Sequence, residues 1–361
     1  MFRKAAPSSV AIAVKYRIAS IDGLRPSRGA DSFAKQKTMR TPRPAPIDGA
    51  LVLDKPRGRT SHDAVDAVRR LLGFRQIGHL GTLDPLATGV LVLLLGRATR
   101  FAQFYAGRRK RYNSTFRFGF ATDTYDADGT PLGPDMSPAL DRAQLERLAA
   151  GFTGRFLQMP PAFSAKKIKG HSAHELARKH QPVDLQAVEV EVFEFRLLEI
   201  RDSLATFTVE CGAGTYIRSL AHEMGAQLGC GAHLAEIVRT AVGEFAIDQA
   251  VTLEELEQAV RAGKAAECIV PLKHLLPELP HVSVLPAIER RVRHGSRFQI
   301  SVSQIQPGRP PSRQGATSEL NSGDWKPARL RVFNHLEQLI AIAEAVVPRT
   351  YQPLVVLEPE N

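Results

Sequence analysis

Cysteine is scarce in this chain: Cys211, Cys230 and Cys268 are the three in 361 residues. They have neither the close pairing of a zinc site nor the even count of a disulfide framework, and a reducing cytosolic compartment suits them best. Long hydrophobic runs are missing as well, and no apolar stretch approaches the ~20 residues that a membrane-spanning helix requires. Neither the P-loop nor the dinucleotide-binding glycine fingerprint is present. Acidic residues are outnumbered, 37 against 48 Lys and Arg, giving a net charge of +11. That excess points to a polyanionic partner, but it is unevenly spread. Residues 1–46 hold ten Lys/Arg and two Asp, which is +8 of the +11 and leaves +3 for the rest.

A chain of this length accommodates two domains, or one large domain with an appendage. Residues 1–46 are rich in Ser, Pro, Arg and Lys without an apolar period, and read as a disordered basic extension. Val10–Val14 is too short for a secretory segment. We read Met39 as an alternative start, or the extension as a dispensable RNA-attracting tail, rather than as a targeting signal. Ordered chain is expected from Asp48, with an apolar strand ending in Lys55-Pro-Arg-Gly58. Thr60 or Ser61 then caps a helix with the stripe Ala64, Val65, Val68, Leu71 and Leu72, stopped by Gly73. Read alone, Lys55 is a solvated strand-end lysine.

The stretch around which the rest is organised is His79-Leu-Gly-Thr-Leu-Asp84-Pro-Leu-Ala-Thr-Gly89. Its Gly and Pro content excludes a helix interior, while the following Val90–Leu95 reads as a buried strand. Asp84 is therefore a carboxylate on a turn leading into the core. A lone Asp-Pro would be an Asx turn in a surface loop. Further on, Arg108-Arg-Lys-Arg111 precedes Tyr112, Ser114, Phe116 and Phe118, an alternating strand. Four cations before an aromatic suit a phosphate backbone and a base-stacking surface, or else a charge-protected strand edge. Thr122-Asp-Thr-Tyr-Asp-Ala-Asp-Gly129 has an EF-hand look, but the first position lacks a carboxylate and the twelfth lacks Glu. A helix is expected over 139–152, a basic Pro-bounded segment with Lys166, Lys167 and Lys169 as a phosphate clamp, and another helix from Ser172 to about His180. Val188, Val190 and Val192 with Phe207, Val209 and Cys211 predict a hairpin on one core. Gly212-Ala-Gly-Thr-Tyr-Ile-Arg218 then runs from a glycine turn into a helix.

The Asp84 string resembles the signature of the TruB-type tRNA pseudouridine synthases, and further motifs agree over roughly residues 47–245. The resemblance implies that Asp84 is catalytic, that Tyr112 lies against the target uracil, and that Arg218 pairs with Asp84. It also brings Lys55 beside the site, Tyr216 into it, Ile237 to its wall, and His79 to the rim of the Asp84 loop. In Ile237-Val-Arg-Thr240 the family usually has Leu-Arg-Arg-Thr, so Val238 replaces a cation. The Thr122–Gly129 string has a family counterpart and is expected to support a turn near the catalytic floor.

The expected fold is mixed α/β (α+β), a pseudouridine synthase core with a central mixed sheet flanked by helices. Residues 47–279 would form it, and residues 280–361, with a polar insert at 301–327, a small β-rich PUA-like RNA-binding body. The implied activity is isomerisation of uridine-55 in the tRNA T stem-loop by a cytoplasmic monomer, without metal, cofactor, membrane or obligate protein partner. Two rival readings are a non-catalytic RNA-binding protein or chaperone, which the combination of Asp84, Tyr112 and Arg218 disfavours, and a carboxylate-based nucleosidase, which would not need basic arms.

Overall fold

The computed structural model describes residues 47–161, 167–168, 171–172, 185–309 and 327–357. The basic extension, the side chains of Lys166, Lys167 and Lys169, the helix expected from Ser172 and most of the 301–327 insert lie outside the described residues. Strand β1 (Gly49–Lys55) opens the fold and helix α1 (Ser61–Leu72) follows. Thr60 is its N-cap, with Asp63 completing a reciprocal capping box, and Gly73 ends it at φ 62°. This is the start-and-stop chemistry its sequence carries.

The chain continues through β2 (Ile77–His79), β3 (Thr88–Leu95), a 3-10 turn leading into α2 (Ala102–Tyr105), β4 (Lys110–Phe118), α3 (Arg142–Gly151) and β5 (Gly154–Gln158). After the two-residue strands β6 (Lys167–Ile168) and β7 (His171–Ser172) come the hairpin β8 (Val188–Arg201) and β9 (Leu204–Cys211) and helix α4 (Ile217–Leu228). Then follow β10 (Ala232–Val242), β11 (Phe245–Ala246), α5 (Leu253–Arg261) and β12 (Ile269–Pro271). Ten of these strands form one sheet, in the order β12-β1-β3-β10-β4-β9-β8-β5, with β2 paired to β3 and β11 to β10. Its pairings are antiparallel except β3 with β10, so the sheet is mixed as expected. The alternating residues of β4, β8 and β9 meet on one face, where Phe116, Phe195 and Phe207 form a buried cluster.

The C-terminal part holds β13 (His281–Ser283), α6 (Pro286–Arg293), β14 (Phe298–Gln299), β15 (Arg329–Phe333), β16 (Leu339–Val347) and β17 (Thr350–Val356). These strands form a second sheet, β13-β15-β16-β17-β14, over a core of its own that includes Val282, Val292, Leu330 and Val332. The opposite side of β16 and β17 is apolar too: Leu339, Ile342 and Val355 share a buried cluster with Val52, Val92, Leu94 and Phe101. The change of sheet near residue 280 is therefore crossed by continuous hydrophobic packing.

The parallel contact between β3 and β10 pairs Thr88 with Val238 and Gly89 with Arg239. Gly89 sits at φ 91°, and a Cβ built there would lie 2.4 Å from the carbonyl oxygen of Arg239. Side chain and backbone conformation both exclude any other residue. Gly89→Ala should destabilise the protein by about 2 kcal/mol or more, from strain and the forced separation of the strands. Urea unfolding measures this, and a variant as stable as wild type would show that the strands need not approach so closely.

Candidate active site

The Asp84 loop hangs between β2 and β3 and is fastened from two sides. The Ser61 hydroxyl, at the start of α1, accepts from Leu83 N–H at 2.8 Å and donates to Leu83 C=O at 3.0 Å. Gly58 N–H donates to the Pro85 carbonyl at 2.8 Å. From β10, the Arg239 guanidinium donates to the carbonyls of Gly81 at 3.1 Å, Thr82 at 3.4 Å and Val90 at 2.7 Å. A glycine- and proline-rich turn with few contacts of its own is thus held rigid by its neighbours.

A cavity of about 370 Å³ opens beside this loop, lined by Asp84, Tyr112, Tyr216, Arg218, Ile237 and Arg239 among others. Arg218 lies in the first turn of α4 and is buried, with 8% of its side chain exposed, against 49% for Asp84. Its fork spans two carboxylates: Nη2 is 3.0 Å from Asp84 Oδ2, and Nη1 is 3.2 Å from Asp126 Oδ2. Nη1 also donates to the Thr124 carbonyl at 3.1 Å. Asp126 is itself fixed, accepting from Thr124 Oγ1 at 2.6 Å and from Asp128 N–H at 3.2 Å. The start of α4 is anchored by Gln158, which accepts from Tyr216 N–H at 2.8 Å and donates to Tyr216 C=O at 3.1 Å. A buried, doubly paired guanidinium therefore orients a carboxylate that stands at the mouth of a cavity.

Tyr112 is buried on β4, directly opposite Arg239 on β10. Burial pushes its phenol up to about 12, while the guanidinium of Arg239 draws it back. Lys110, two residues earlier on the same face, lines the cavity too, and burial lowers its ammonium. The basic run before Tyr112 is thus divided between the cavity wall and carboxylate partners outside it. Arg108 pairs with Glu278, and Arg109 and Arg111 both pair with Glu210. Arg109 also covers the Phe193 ring at 3.6 Å. The alternation of the strand splits the run over two faces.

Of the sequence-predicted residues, Asp84, Tyr112, Tyr216, Arg218 and Ile237 share this cavity, whereas Lys55 and His79 do not line it. Lys55 is fully buried and not a solvated strand end: its Nζ donates to the carbonyls of Pro56 at 2.9 Å and Arg59 at 2.6 Å. Burial lowers its ammonium to about 8, with the Asp84 charge opposing that shift and Arg239 reinforcing it. His79 ends β2, facing His62 edge-on with ring centroids 6.5 Å apart, and burial lowers its imidazole. A larger cavity of about 730 Å³, lined by Glu244, Lys273, Arg331 and Phe333 among others, contains none of the expected residues, so size does not identify the site.

Arg239, Asp126 and Gln158 were not singled out by sequence. Arg239 had a usable signal: on a strand it shares a face with Ile237, whereas the intervening Val238 is exposed. Asp126 could be placed in a turn, but its contact with Arg218 joins residues 92 apart.

The lowered Lys55 ammonium has a definite consequence. Between pH 8 and 10.5 the unfolded chain holds a proton on Lys55 that the folded chain has released, so folded stability rises with pH there. The burial penalty is fully present below pH 8. Relative to Lys55→Met, the wild type should gain up to about 1.4 kcal/mol of unfolding free energy per pH unit across this window. Paired denaturant titrations measure it, and a difference independent of pH would refute the shift.

Comparison with known proteins converges on one family. Residues 69–217 match the model of the TruB family pseudouridylate synthase N-terminal domain, and residues 218–277 that of the tRNA pseudouridylate synthase B C-terminal domain. The tRNA pseudouridine synthase B of Solibacter usitatus is 44% identical over 86% of this chain and 100% of its own length. That of Aquifex aeolicus is 40% identical over 70% of this chain and 88% of its own. Among solved structures, a chain of a Cbf5-Nop10-Gar1 complex aligns with a TM-score of 0.64 at 25% identity, covering 87% of this chain and 86% of that one. With more than half of its length under these models, the chain belongs to the TruB family of pseudouridylate synthases.

Proposed function

We propose that the chain isomerises uridine-55 in the T loop of tRNA to pseudouridine. The observation that carries this reading is the ion pair between Arg218 and Asp84 at the mouth of the cavity that Tyr112 lines. The isomerisation replaces the N1–C1′ bond by a C5–C1′ bond, with nothing oxidised and no group supplied from outside. Such a reaction asks for a carboxylate held near C1′, a wall against which the detached base turns, and restricted water. Asp84 serves the first need, with Arg218 fixing the direction of its oxygens. Tyr112 and Ile237 serve the second. The enclosed part of the cavity serves the third, and a uridine enters it by leaving the RNA stack.

In this reading residues 47–279 are the catalytic body and residues 280–361 a PUA-like RNA-binding body. Cytoplasmic tRNA is the partner, engaged through its T stem-loop by a monomer that needs no obligate protein partner, metal or cofactor. Lys55 acts as part of the positive field behind Asp84, and Tyr216 packs at the cavity wall. His79 lies at the far end of the Asp84 loop and would meet the RNA rather than the flipped base.

Asp84→Asn should abolish conversion of T-stem-loop RNA while leaving affinity within about tenfold, roughly 1.4 kcal/mol. Backbone phosphate contacts supply most of the affinity and the carboxylate supplies none of it. Carbodiimide labelling with primer extension detects the product. Appreciable turnover by the purified Asn variant would remove Asp84 from its role.

A further inference from the structure

The turn that holds Arg218 carries a large ring at a backbone position where one is rarely found. Tyr125 sits at φ 64°, a left-handed conformation that glycine or asparagine adopts with less strain. That conformation has a visible use. It turns the chain so that the Thr124 carbonyl before it and the Asp126 carboxylate after it converge on one nitrogen, Nη1 of Arg218, at 3.1 and 3.2 Å. Any residue tolerant of positive φ would form this clip, so the backbone alone does not explain a tyrosine. Its ring does. The ring lies on the imidazole of His222, with centroids 3.8 Å apart and planes within 12° of parallel. His222 is one turn beyond Arg218 on α4 and on the same side of that helix. Its Nδ1 is buried without a hydrogen-bond partner among the described residues, so packing and not a polar contact at that atom places the imidazole.

We propose that Tyr125 is a positioning residue for the reaction: stacked on His222, it holds the turn that sets the direction of the Arg218 fork, and through that fork the Asp84 carboxylate. The inference rests on the reading of Asp84 as the reacting carboxylate. The hydroxyls of Thr122 and Thr124 donate to Asp126 and shape the turn from within. Leu234 N–H donates to the Tyr125 carbonyl and Ala127 N–H to the Leu234 carbonyl, each at 2.9 Å, which ties the turn to β10. Towards α4 the turn is met by the Arg218 fork and by the ring stack, two braces one helical turn apart. A guanidinium on a long stem can swing with the acceptors that hold it. A second brace on the same helix keeps those acceptors still. Without the stack the turn shifts on α4, and Nη2 moves relative to Asp84 while the backbone of the site stays in place. A reacting group has to be held to a fraction of an ångström, so such a shift lowers rate and leaves affinity alone.

The test compares wild type with Tyr125→Gly, which accepts the same φ but has no ring, and with Tyr125→Phe, which keeps the ring. At saturating T-stem-loop RNA, Tyr125→Gly should slow single-turnover conversion by about tenfold, the scale of a sub-ångström misplacement of a reacting group. Its affinity for the RNA should be unchanged, and Tyr125→Phe should convert at the wild-type rate. His222→Ala should match Tyr125→Gly, and the double variant should be no slower than either, because all three lack the same stack. A second readout needs no RNA. In nitrogen-15 NMR spectra the Arg218 guanidinium protons, identified by their loss in Arg218→Lys, should be resolved by hindered rotation in wild type and Tyr125→Phe. In Tyr125→Gly they should merge. Wild-type turnover by Tyr125→Gly, guanidinium signals that stay resolved in it, or additive losses in the double variant would each overturn the proposal and leave the stack a stabilising contact only. An equal rate loss in Tyr125→Phe would move the role to the hydroxyl and overturn it as well. Should Tyr125→Gly not fold, His222→Ala set against Tyr125→Phe decides the matter by the same two readouts. Absence of product from wild type would overturn the functional reading itself, while the NMR comparison would still decide whether the stack holds Arg218.

Discussion

Strands β3 and β10 meet because Gly89 has no side chain. Their parallel contact is the one interruption in an otherwise antiparallel ladder, and it brings the Asp84 loop over the residues that serve it. Thr88 and Gly89 carry the chain out of that loop, while Val238 and Arg239 bring in the opposite wall. Arg239 then reaches under the loop to three carbonyls, and its cross-strand neighbour Tyr112 comes with it. One bulkier atom at residue 89 would press on the backbone that positions all of these groups. Site geometry here is a property of backbone packing before it is a property of side chains.

The Asp84–Arg218 pair illustrates why burial of one partner matters more than the pair itself. An ion pair between two exposed side chains contributes little, since both spend much of their time elsewhere. Here Arg218 is already fixed by Asp126, the Thr124 carbonyl and the Gln158-anchored start of α4. The ordering of the long side chain is met by the fold, so little freedom is left to lose when Asp84 engages a substrate. A half-exposed carboxylate can then be accessible and well oriented together, as a reacting group must be.

How much of this was legible follows from the range over which each signal acts. Asp84, Tyr112, Tyr216, Arg218 and Ile237 each sit in a short motif whose local chemistry is visible, and the fold gathers them at one cavity. The N-cap of α1, the alternation of β8 and β9 and the glycine turn before α4 are likewise local, and they formed as read. Features that depend on tertiary neighbours were misjudged. Lys55 looked solvated because a strand-end lysine usually is, yet Asp84 and two carbonyls of its own turn give it a buried place. Arg108–Arg111 looked like one patch because a sequence lists its charges side by side. A strand sends alternate residues to opposite faces, so Lys110 joined Tyr112 while Arg109 and Arg111 converged on Glu210 across the ladder. Asp126 could be placed in a turn but not against Arg218, 92 residues further on, and Arg239 showed only the strand face it shares with Ile237.

That division of the cations also separates two kinds of positive charge by chemistry. The outward ones are arginines, which stay charged at any pH the protein survives. The inward set includes Lys55 and Lys110, whose ammonium groups are weakened by the same burial that brings them near Asp84. Above about pH 8 the field behind Asp84 therefore falls first, while the arginine surface that would attract a polyanion keeps its charge. In the proposed reaction, holding an RNA and acting on it would then depend on cations with different proton affinities. Alkaline conditions would weaken the chemistry while the complex persists, the opposite of what salt does, since salt screens the exposed arginines and leaves the enclosed cations largely untouched.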